Sequence, residues 1–368
     1  MIKVMSVFGT RPEAIKMAPL VKELEKRDTI DSIVCVTAQH REMLDQVLET
    51  FEIKPDYDLN IMKIGQTLGD VTTKALTGLE KIIKTENPDI VLVHGDTSTA
   101  FVGALAAFYN QVKIGHVEAG LRTWNLESPY PEEANRQMIG VLANMHFSPT
   151  DAAAQNLINE GKNKENIFIT GNTVIDAMDY TVEEDYKHEV LDWVGKDRMI
   201  LLTAHRRENL GSPMRNIFTA IKRILDEFDD IKVVYPIHLN PKVREVANEI
   251  FEGEDRVKLI EPLEVFDFHN FMNKSYIILT DSGGLQEEAP SLGKPVLVLR
   301  DTTERPEGIK AGTLKLVGTD ENLIYEETKI LLTDKKEYER MSKAHNPYGD
   351  GLASKRIVDE ILKYDIKI

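Results

Sequence analysis

The sequence predicts an α/β protein in which doubly wound parallel sheets form two domains. Short β-branched runs alternate with longer amphipathic stretches, which is the pattern of strands joined by crossover helices. This alternation occurs twice along the chain. At 368 residues the chain is also longer than one hydrophobic core usually supports, and it suits two domains of ordinary size.

The first series of elements occupies the N-terminal half. Its apolar runs predict strands at residues 3–8, 32–37, 90–94, 112–117 and 146–148. Apolar residues at helical spacing predict helices near residues 43–51 and 68–83. Because these stretches are long enough for crossover connections, the strands are expected to run parallel.

The second series repeats this order after a polar, charged stretch at residues 173–196. Strands are predicted at residues 200–203, 232–236, 257–260, 277–280 and 296–299. Helices are predicted at residues 213–228, 241–251 and 265–273. We therefore expect an N-terminal domain over residues 1–172 and a C-terminal domain over residues 173–349.

Composition and charge narrow the class of protein. Hydrophobic residues make up 42% and charged residues 29% of the chain, as in a soluble globular enzyme. The net charge of −16 argues against nucleic acid or an anionic membrane as the main partner. Cys35 is the only cysteine, which excludes an internal disulfide and a cysteine-based zinc site. Since neither a signal peptide nor a membrane-spanning run is evident, we expect a cytoplasmic protein.

A glycine-rich turn follows the strand predicted at residues 277–280. Glycines leave no Cβ between a ligand and the backbone N–H groups, so Ser282, Gly283 and Gly284 are candidates to bind a diphosphate. Glu288, about one helical turn later, is a candidate to accept hydrogen bonds from ribose hydroxyls. An ordinary strand–helix turn with a solvated glutamate explains the same residues equally well.

Carboxylates follow the strands of the first series. Asp96 and Glu118 come directly after predicted strands, and Glu132 begins the next helical stretch. Parallel strands end at one edge of a sheet, so we expect the three to converge and to support proton chemistry. Asp96 and Glu132 are also candidates for helix caps, whereas the residues after Glu118 do not look helical.

Basic residues also follow predicted strands. Arg11 and Lys16 lie just after the first strand, where they either face an anion or remain solvated. His205, Arg206 and Arg207 follow the strand at residues 200–203, which suits a diphosphate in an otherwise acidic protein. A solvated basic loop neutralised by Glu208 explains Arg207 as well, and His205 less so. His238 follows the next strand, and a simple turn histidine explains it as well.

Taken together, these motifs carry a resemblance to a known family. In chain order, the segments FGTRPEAIK, HGDT, VEAGLRT, YPEEANR, HRREN, HLNP and DSGGLQEEAPSLGKPVLVLRDTTERPEG resemble the non-hydrolysing UDP-N-acetylglucosamine 2-epimerases over residues 9–308. The resemblance implies two Rossmann-like domains facing a cleft, the glycosyltransferase B-type arrangement. It also implies that residues 350–368 return to the first domain and that the protein is a homodimer.

The resemblance implies interconversion of UDP-N-acetylglucosamine (UDP-GlcNAc) and UDP-N-acetylmannosamine (UDP-ManNAc), with neither a cofactor nor a metal. UDP leaves carbon 1, a proton leaves carbon 2 to give 2-acetamidoglucal, and re-addition on the opposite face inverts carbon 2. The residues implied in catalysis are Asp96, Glu118, Glu132 and His205. The resemblance also places Phe268 beside uracil, although plain core packing explains that residue equally well.

A regulatory site is implied as well. Bacterial members of the family bind a second UDP-GlcNAc that activates them. The candidate positions in this chain are Gln39, Gln66, Arg206 and His238. Two departures from the family pattern weaken this expectation, since Gly65 stands where a basic residue is usual and Glu42 where a neutral amide is usual.

Three other functions agree with parts of the sequence. A retaining glycosyltransferase would share the UDP site but would need an acceptor groove. A nucleotide-sugar sensor would keep Gly283, Gly284 and Glu288 without the acids, so the three acids disfavour both alternatives. A hydrolysing epimerase, which releases N-acetylmannosamine and UDP, shares the elimination step and stays open.

Overall fold

The computed structural model describes residues 1–38, 41–63 and 65–364, apart from the side chains of residues 41–43. The chain divides into two compact units, Met1–Tyr180 with Tyr348–Ile368, and Thr181–Pro347. Each unit contains a parallel sheet whose successive strands are joined mostly by helices. The predicted fold class, two doubly wound Rossmann-like units, is confirmed.

The first unit is built around one parallel sheet. Its strands are β1 (Ile2–Phe8), β2 (Ile30–Val36), β3 (Tyr57–Asp58), β4 (Ile90–His94), β5 (Lys113–Val117), β6 (Met145–Ser148) and β7 (Ile167–Ile169). Their order is β3-β2-β1-β4-β5-β6-β7. Strand β4 is buried along its whole length, as expected when helices cover both faces of a parallel sheet.

The helices of the first unit alternate with these strands. They are α1 (Arg11–Glu25), α2 (Arg41–Thr50), α3 (Leu68–Glu86), α4 (Ser98–Tyr109), α5 (Glu132–Leu142), α6 (Asp151–Asn159), α7 (Thr173–Thr181) and the final α16 (Ala353–Lys363). A short 3-10 turn spans Lys164–Asn166. Apolar side chains of the strands and helices form one core, with Val7, Val93, Ala100, Ile114 and Ile139 among its fully buried members.

The second unit repeats the architecture. Its strands are β8 (Arg198–Thr203), β9 (Ile231–Pro236), β10 (Val257–Ile260), β11 (Ile277–Thr280), β12 (Val296–Val298) and β13 (Leu314–Leu316). Its helices are α8 (Glu189–Val194), α9 (Ser212–Glu227), α10 (Pro241–Phe251), α11 (Val265–Lys274), α12 (Leu285–Glu288), α13 (Pro306–Ala311), α14 (Glu321–Thr333) and α15 (Lys335–Ser342). Short 3-10 turns span Arg207–Asn209 and Ala289–Leu292.

Both sheets reverse their strand order next to the first strand. The second sheet has the order β10-β9-β8-β11-β12-β13, and in each sheet the chain starts in the middle and winds first to one edge and then to the other. The reversal lies between β1 and β4 in the first unit and between β8 and β11 in the second. The crevice beyond the carboxyl ends of such neighbouring strands is where open α/β sheets bind ligands.

The sequence places the boundary between domains after residue 172, whereas the first compact unit of the structure extends to Tyr180. Helix α7 belongs with the first unit because Asp176 accepts hydrogen bonds from the backbone N–H groups of Ala353 (3.2 Å) and Ser354 (2.6 Å), at the beginning of α16. Among the described residues, every helix is too short or too polar to span a membrane.

Candidate active site

The turn after β1 carries Arg11 at the beginning of α1. Thr10 and Glu13 form a reciprocal capping box, and the buried Glu13 carboxylate also accepts hydrogen bonds from Gly9 N–H (3.0 Å) and the Thr97 hydroxyl (2.6 Å). Glu13 therefore ties the turn after β1 to the turn after β4. The half-buried Arg11 makes no hydrogen bond or ion pair within the described part of the chain, so its guanidinium is available to an anion.

Glu118 directly follows β5 and has a φ of 61°, a left-handed conformation that is uncommon for a residue with a side chain. Three groups converge on its Oε2 atom: the ammonium of Lys16, Nε2 of His94 at 3.4 Å and Nδ2 of Asn172 at 3.3 Å. The Oε1 atom has no hydrogen-bond partner among the described residues. The strained backbone thus presents a carboxylate with one oxygen engaged and the other free.

Asp96 follows β4, next to the same edge of the sheet. Its carboxylate contacts the guanidinium of Arg136, and its backbone carbonyl accepts a hydrogen bond from Nδ2 of Asn135 at 2.9 Å. Asp96 is not the cap of the following helix, because the Thr97 side chain accepts the hydrogen bond from the N–H of Ala100 (3.0 Å). The capping alternative considered for Asp96 is therefore wrong.

The environments of Asp96 and Glu118 shift their pKa values in opposite directions. Burial raises the pKa of Asp96, and the charge of Arg136 offsets only part of that rise. Burial alone would raise the pKa of Glu118 too, but Lys16 and His94 lower it well below its ordinary value. The negative charge of Glu118 also helps to raise the pKa of Asp96, which shows that the two carboxylates interact. At neutral pH this favours ionised Glu118 and disfavours ionisation of Asp96.

Glu132 is the first residue of α5 and is partly exposed. Within the described residues the side chain of Glu132 makes no hydrogen bond or ion pair. Its neighbour Glu133 has a fully buried side chain that accepts hydrogen bonds from the N–H groups of Thr123 (3.0 Å) and Trp124 (3.1 Å). The structure thus places Asp96 and Glu118 close enough to interact electrostatically, and it places Glu132 at the beginning of the helix that carries Arg136.

Lys16 contacts a protein carboxylate. The sequence left open whether Lys16 faces an anionic ligand with Arg11 or remains solvated, and in the structure its ammonium contacts Glu118. The side chain points from α1 across the ends of the strands, a contact between residues distant in sequence that local patterns do not reveal. Lys16 therefore acts first on the ionisation of Glu118.

The glycine turn of the second unit lies between β11 and α12. Gly283 and Gly284 both have negative φ values, so the turn does not need glycine for its backbone conformation. At Gly284 glycine provides space, because a Cβ there would crowd Oε1 of Glu288 at 3.2 Å. A Cβ on Gly283 would be in ordinary contact, 3.8 Å from a guanidinium nitrogen of Arg206. Ser282 and the two glycines thus expose backbone next to a carboxylate and a cation.

Glu288 and Phe268 flank this turn. Glu288 ends α12 and lies 3.7 Å from Nε2 of His269, which is buried on α11. Phe268 precedes His269 on α11 and remains half-buried, so part of its ring is open to a ligand. An aromatic face and a carboxylate are thus carried by elements on either side of β11.

His205 follows β8, the strand beside β11. Its ring stacks on His238, with ring centroids 5.5 Å apart and planes 10° from parallel. Burial lowers the pKa of His205, Asp281 raises it, and His238 and Arg206 lower it further. His205 after β8 and Asp281 after β11 therefore lie next to each other. They are at the carboxyl ends of the two neighbouring strands between which the strand order reverses.

The candidate effector residues are distributed over both units. Arg206 and His238 adjoin His205 in the second unit. Gln66, in the first unit, accepts a hydrogen bond from the Lys74 ammonium at 3.4 Å. Gln39 and the side chain of Glu42 lie outside the described residues.

Several residues that shape the candidate site were missed by sequence reasoning. His94 and Asn172 engage Glu118, Arg136 pairs with Asp96, and Asp281 anchors the loop of His205. Three of these residues lie within the segments HGDT, YPEEANR and DSGG, namely His94, Arg136 and Asp281. The sequence analysis named other residues of the same segments as candidate site residues. The signal that could have identified them is a polar residue, expected to be buried, within a segment that already contains candidate site residues.

The fold and the site together define a class of protein. Two Rossmann-like units, one with interacting carboxylates and one with a glycine turn beside basic residues, are typical of enzymes that act on nucleotide-linked substrates. A family model described as UDP-N-acetylglucosamine 2-epimerase matches residues 22–362. The chain is also 67% identical over 361 residues to a UDP-N-acetylglucosamine 2-epimerase of Bacillus subtilis, covering 98% of this chain and 95% of the relative.

Solved structures give the same result. The chain is similar to the S. aureus protein MnaA, solved together with UDP, at 60% identity and a TM-score of 0.88 over 99% of this chain and 97% of that one. It is also similar to a Neisseria meningitidis UDP-GlcNAc 2-epimerase bound to UDP-GlcNAc, at 51% identity and a TM-score of 0.85 over 99% and 100% of the two chains. The chain belongs to the UDP-N-acetylglucosamine 2-epimerase family, which confirms the family predicted from its motifs.

Proposed function

We propose that the protein interconverts UDP-GlcNAc and UDP-ManNAc by eliminating UDP to 2-acetamidoglucal and adding it back. The observation that carries this proposal is the pair Asp96 and Glu118, two interacting carboxylates whose pKa values are shifted in opposite directions. Paired groups of this kind are the usual mark of separate acid and base roles.

The chemistry explains why such a pair is useful. The hydrogen on carbon 2 is not flanked by a carbonyl, so it becomes acidic only once UDP leaves carbon 1 and positive charge develops there. Inversion then needs a base on one face of the sugar and an acid on the other, in opposite protonation states at the same time. Glu118, held ionised by Lys16, suits the base, and Asp96, with its raised pKa, suits the acid.

The geometry of Glu118 supports the assignment as a base. Its Oε2 atom is occupied by Lys16, His94 and Asn172, and this leaves Oε1 to accept a proton. Glu132 completes the set as a third carboxylate, and it adds negative charge near the developing cation.

Departing UDP also needs stabilisation of its negative charge. Exposed backbone at Ser282–Gly284 and the imidazole of His205 are the candidates in the second unit, and Arg11 is the candidate in the first. Glu288 is proposed to accept hydrogen bonds from the ribose, and Phe268 to pack beside uracil. The named relatives support this ligand class, since one was solved with UDP and another with UDP-GlcNAc.

The main alternative is a hydrolysing epimerase. Incubation with UDP-GlcNAc, followed by NMR of the sugar signals, separates the two reactions. We expect UDP-ManNAc to accumulate to a constant ratio, with no net release of N-acetylmannosamine or UDP, and the same ratio when the reaction starts from UDP-ManNAc. Asp96→Asn should lose turnover, while Asp151→Asn, a matched change on the exposed first turn of α6, should keep it. Stoichiometric release of N-acetylmannosamine and UDP would replace this proposal by the hydrolysing reaction.

We further propose that the protein acts as a homodimer. Apolar side chains at the C-terminal ends of the adjacent helices α4 and α5 are exposed, with Phe108 at 54%, Tyr109 at 61% and Val141 at 73%. Exposed apolar groups clustered in this way usually mark an association surface. Light scattering should show a dimer for the wild type and a monomer for Val141→Asp; a wild-type monomer at micromolar concentration would contradict the proposal.

A further inference from the structure

Asp281 is the first residue after β11, and its side chain is fully buried. Its Oδ2 atom accepts hydrogen bonds from the N–H groups of His205 (2.8 Å) and Arg206 (2.8 Å) and from Nδ2 of Asn209 (3.0 Å). A carboxylate shared in this way fixes the loop after β8 to the end of β11, across the reversal of strand order.

The other carboxylate oxygen of Asp281 points at the imidazole. Its Oδ1 atom is buried and lacks a hydrogen-bond partner among the described residues, and Nδ1 of His205 lies 3.3 Å from it. A buried carboxylate oxygen without a donor is costly, so the arrangement favours a proton on Nδ1 that points at Oδ1. With Nδ1 turned toward Asp281, Nε2 is the ring nitrogen left for a ligand.

Three charged or titratable groups act on this imidazole. His238 stacks on it from the end of β9, Arg206 adjoins it on its own loop, and Asp281 contacts it from the end of β11. Burial, His238 and Arg206 oppose protonation of the ring, and Asp281 favours it. Of these three groups, only the negative charge of Asp281 stabilises the imidazolium form of His205. Loss of Asp281 would therefore destabilise that form.

We propose that Asp281 is a positioning residue that holds His205 with its proton on Nδ1 and directs Nε2 toward the leaving diphosphate. A carboxylate on one ring nitrogen fixes the tautomer and orientation of a histidine in this way. When the bond between carbon 1 and the diphosphate oxygen breaks, its electron pair stays on that oxygen. The form of His205 that acts is the imidazolium, which has a proton on each ring nitrogen: Nδ1–H faces Asp281, and Nε2–H donates a hydrogen bond to the departing oxygen. Nε2 keeps its proton throughout, and the contact is released when the bond re-forms on the sugar.

This inference rests on the proposed function, but its first test does not require turnover. In protein labelled with ¹⁵N-histidine, the signal of His205 is assigned by its loss in His205→Gln. At a pH where the ring is neutral, we expect wild-type protein without substrate to carry the proton on Nδ1, and Asp281→Asn to carry it on Nε2. Asn209→Ser, which perturbs the same carboxylate but keeps the contact with Nδ1, should leave the wild-type tautomer in place.

Turnover provides the second readout. Asp281→Asn should lower kcat by roughly 10²-fold, the usual scale for an acid/base group, with a much smaller change in KM. Because the substitution lowers the pKa of His205, the loss of activity with rising pH should begin at lower pH than in the wild type. Asn209→Ser should leave this part of the pH profile where it is.

The outcomes separate the inference from the proposed reaction. A neutral wild-type ring protonated on Nε2 overturns the inference even if the enzyme epimerises its substrate, and that spectrum decides the matter even if Asp281→Asn fails to fold. A tautomer on Nδ1 in a protein that does not epimerise UDP-GlcNAc contradicts the reaction instead. Equal loss of kcat in Asp281→Asn and Asn209→Ser, with no displacement of the pH profile, would reduce Asp281 to a purely structural role and also overturn the inference.

Discussion

The Nε2 atom of His94 lies 3.4 Å from Oε2 of Glu118, the same oxygen that the ammonium of Lys16 contacts. Both basic groups are partly or fully buried, so their effect on the carboxylate is weakly screened by solvent. The pKa of Glu118 is consequently held well below its ordinary value in spite of burial. The ionisation of the proposed base therefore depends on neighbours that do not themselves react.

Replacing Lys16 should shift the pH dependence of the reaction. Lys16→Met removes the cation, so the pKa of Glu118 rises and a base that must be ionised becomes active only at higher pH. We expect the acidic side of the kcat/KM profile to move to higher pH. Lys22→Met on the same helix, whose ammonium contacts Glu52 and Glu25 instead, is the control and should leave the profile unchanged. An unmoved profile in Lys16→Met would show that Glu118 is not the base that titrates.

A second prediction concerns stability in acid. Burial lowers the pKa of His146 from 6.5 to about 4, so the unfolded chain binds a proton that the folded chain resists. The contribution of His146 is complete above pH 6.5 and is lost as the pH falls toward about 4. The unfolding free energy should therefore fall by up to about 1.4 kcal/mol per pH unit from this residue.

His146→Gln tests this directly in urea unfolding followed between those pH values. The variant should be less dependent on pH than the wild type, whatever its absolute stability. His345→Gln, at an exposed position, is the matched control and should keep the wild-type dependence. Identical pH dependence in His146→Gln and the wild type would show that His146 is not the residue that titrates.

UDP binding should depend on the glycine turn of the second unit. A side chain at Gly284 would press on Glu288, only 3.2 Å from the position of a Cβ, and would fill the space proposed for a phosphate. We expect Gly284→Val to abolish UDP binding with the fold intact, and Glu288→Gln to weaken it by about 1–3 kcal/mol. Calorimetry measures both affinities, with Gly69→Ala at an exposed position of α3 as the control. Unchanged UDP affinity in both variants would show that the nucleotide binds elsewhere on the protein.

Much of the fold could be predicted from the sequence, because central parallel strands are continuous apolar runs bounded by turn residues. The strands that sequence reasoning missed are β3, β7 and β13, which are two or three residues long and lie at the edges of their sheets. Strands of two or three residues are too short for hydrophobic periodicity to distinguish them from turns. Their positions depend on pairing with neighbours rather than on local pattern.

The candidate site could be predicted only in outline. The convergence of Asp96 and Glu118 follows from topology, because parallel strands end at one edge of the sheet. The contacts of Lys16 with Glu118 and of Arg136 with Asp96 depend on side-chain directions across elements distant in sequence. The same is true of Asp281, whose role arises from contacts with the loop after another strand.

Regulation by UDP-GlcNAc is expected to be weak in this chain. Gly65 removes a cation and Glu42 adds an anion relative to the family pattern, and each lost charged hydrogen bond costs about 1.5–3 kcal/mol. We expect pure UDP-ManNAc to be consumed at a measurable rate, with modest acceleration when a trace of UDP-GlcNAc is added. The ratio of the initial rates with and without the trace of UDP-GlcNAc measures the strength of this activation. Complete inactivity until the trace is added would show that the effector site survives both substitutions.

The proposed elimination requires proton exchange at carbon 2, and isotope incorporation measures this exchange directly. In deuterated water, we predict deuterium at carbon 2 of both UDP-GlcNAc and UDP-ManNAc, detected by mass spectrometry and NMR. Asp96→Asn, Glu118→Gln and Glu132→Gln should each lower turnover by roughly 10²-fold or more, the scale of a general acid or base. Near-normal turnover in one variant would show that the substituted residue is not one of the catalytic acids or bases. Formation of UDP-ManNAc without deuterium at carbon 2 would contradict the elimination mechanism itself.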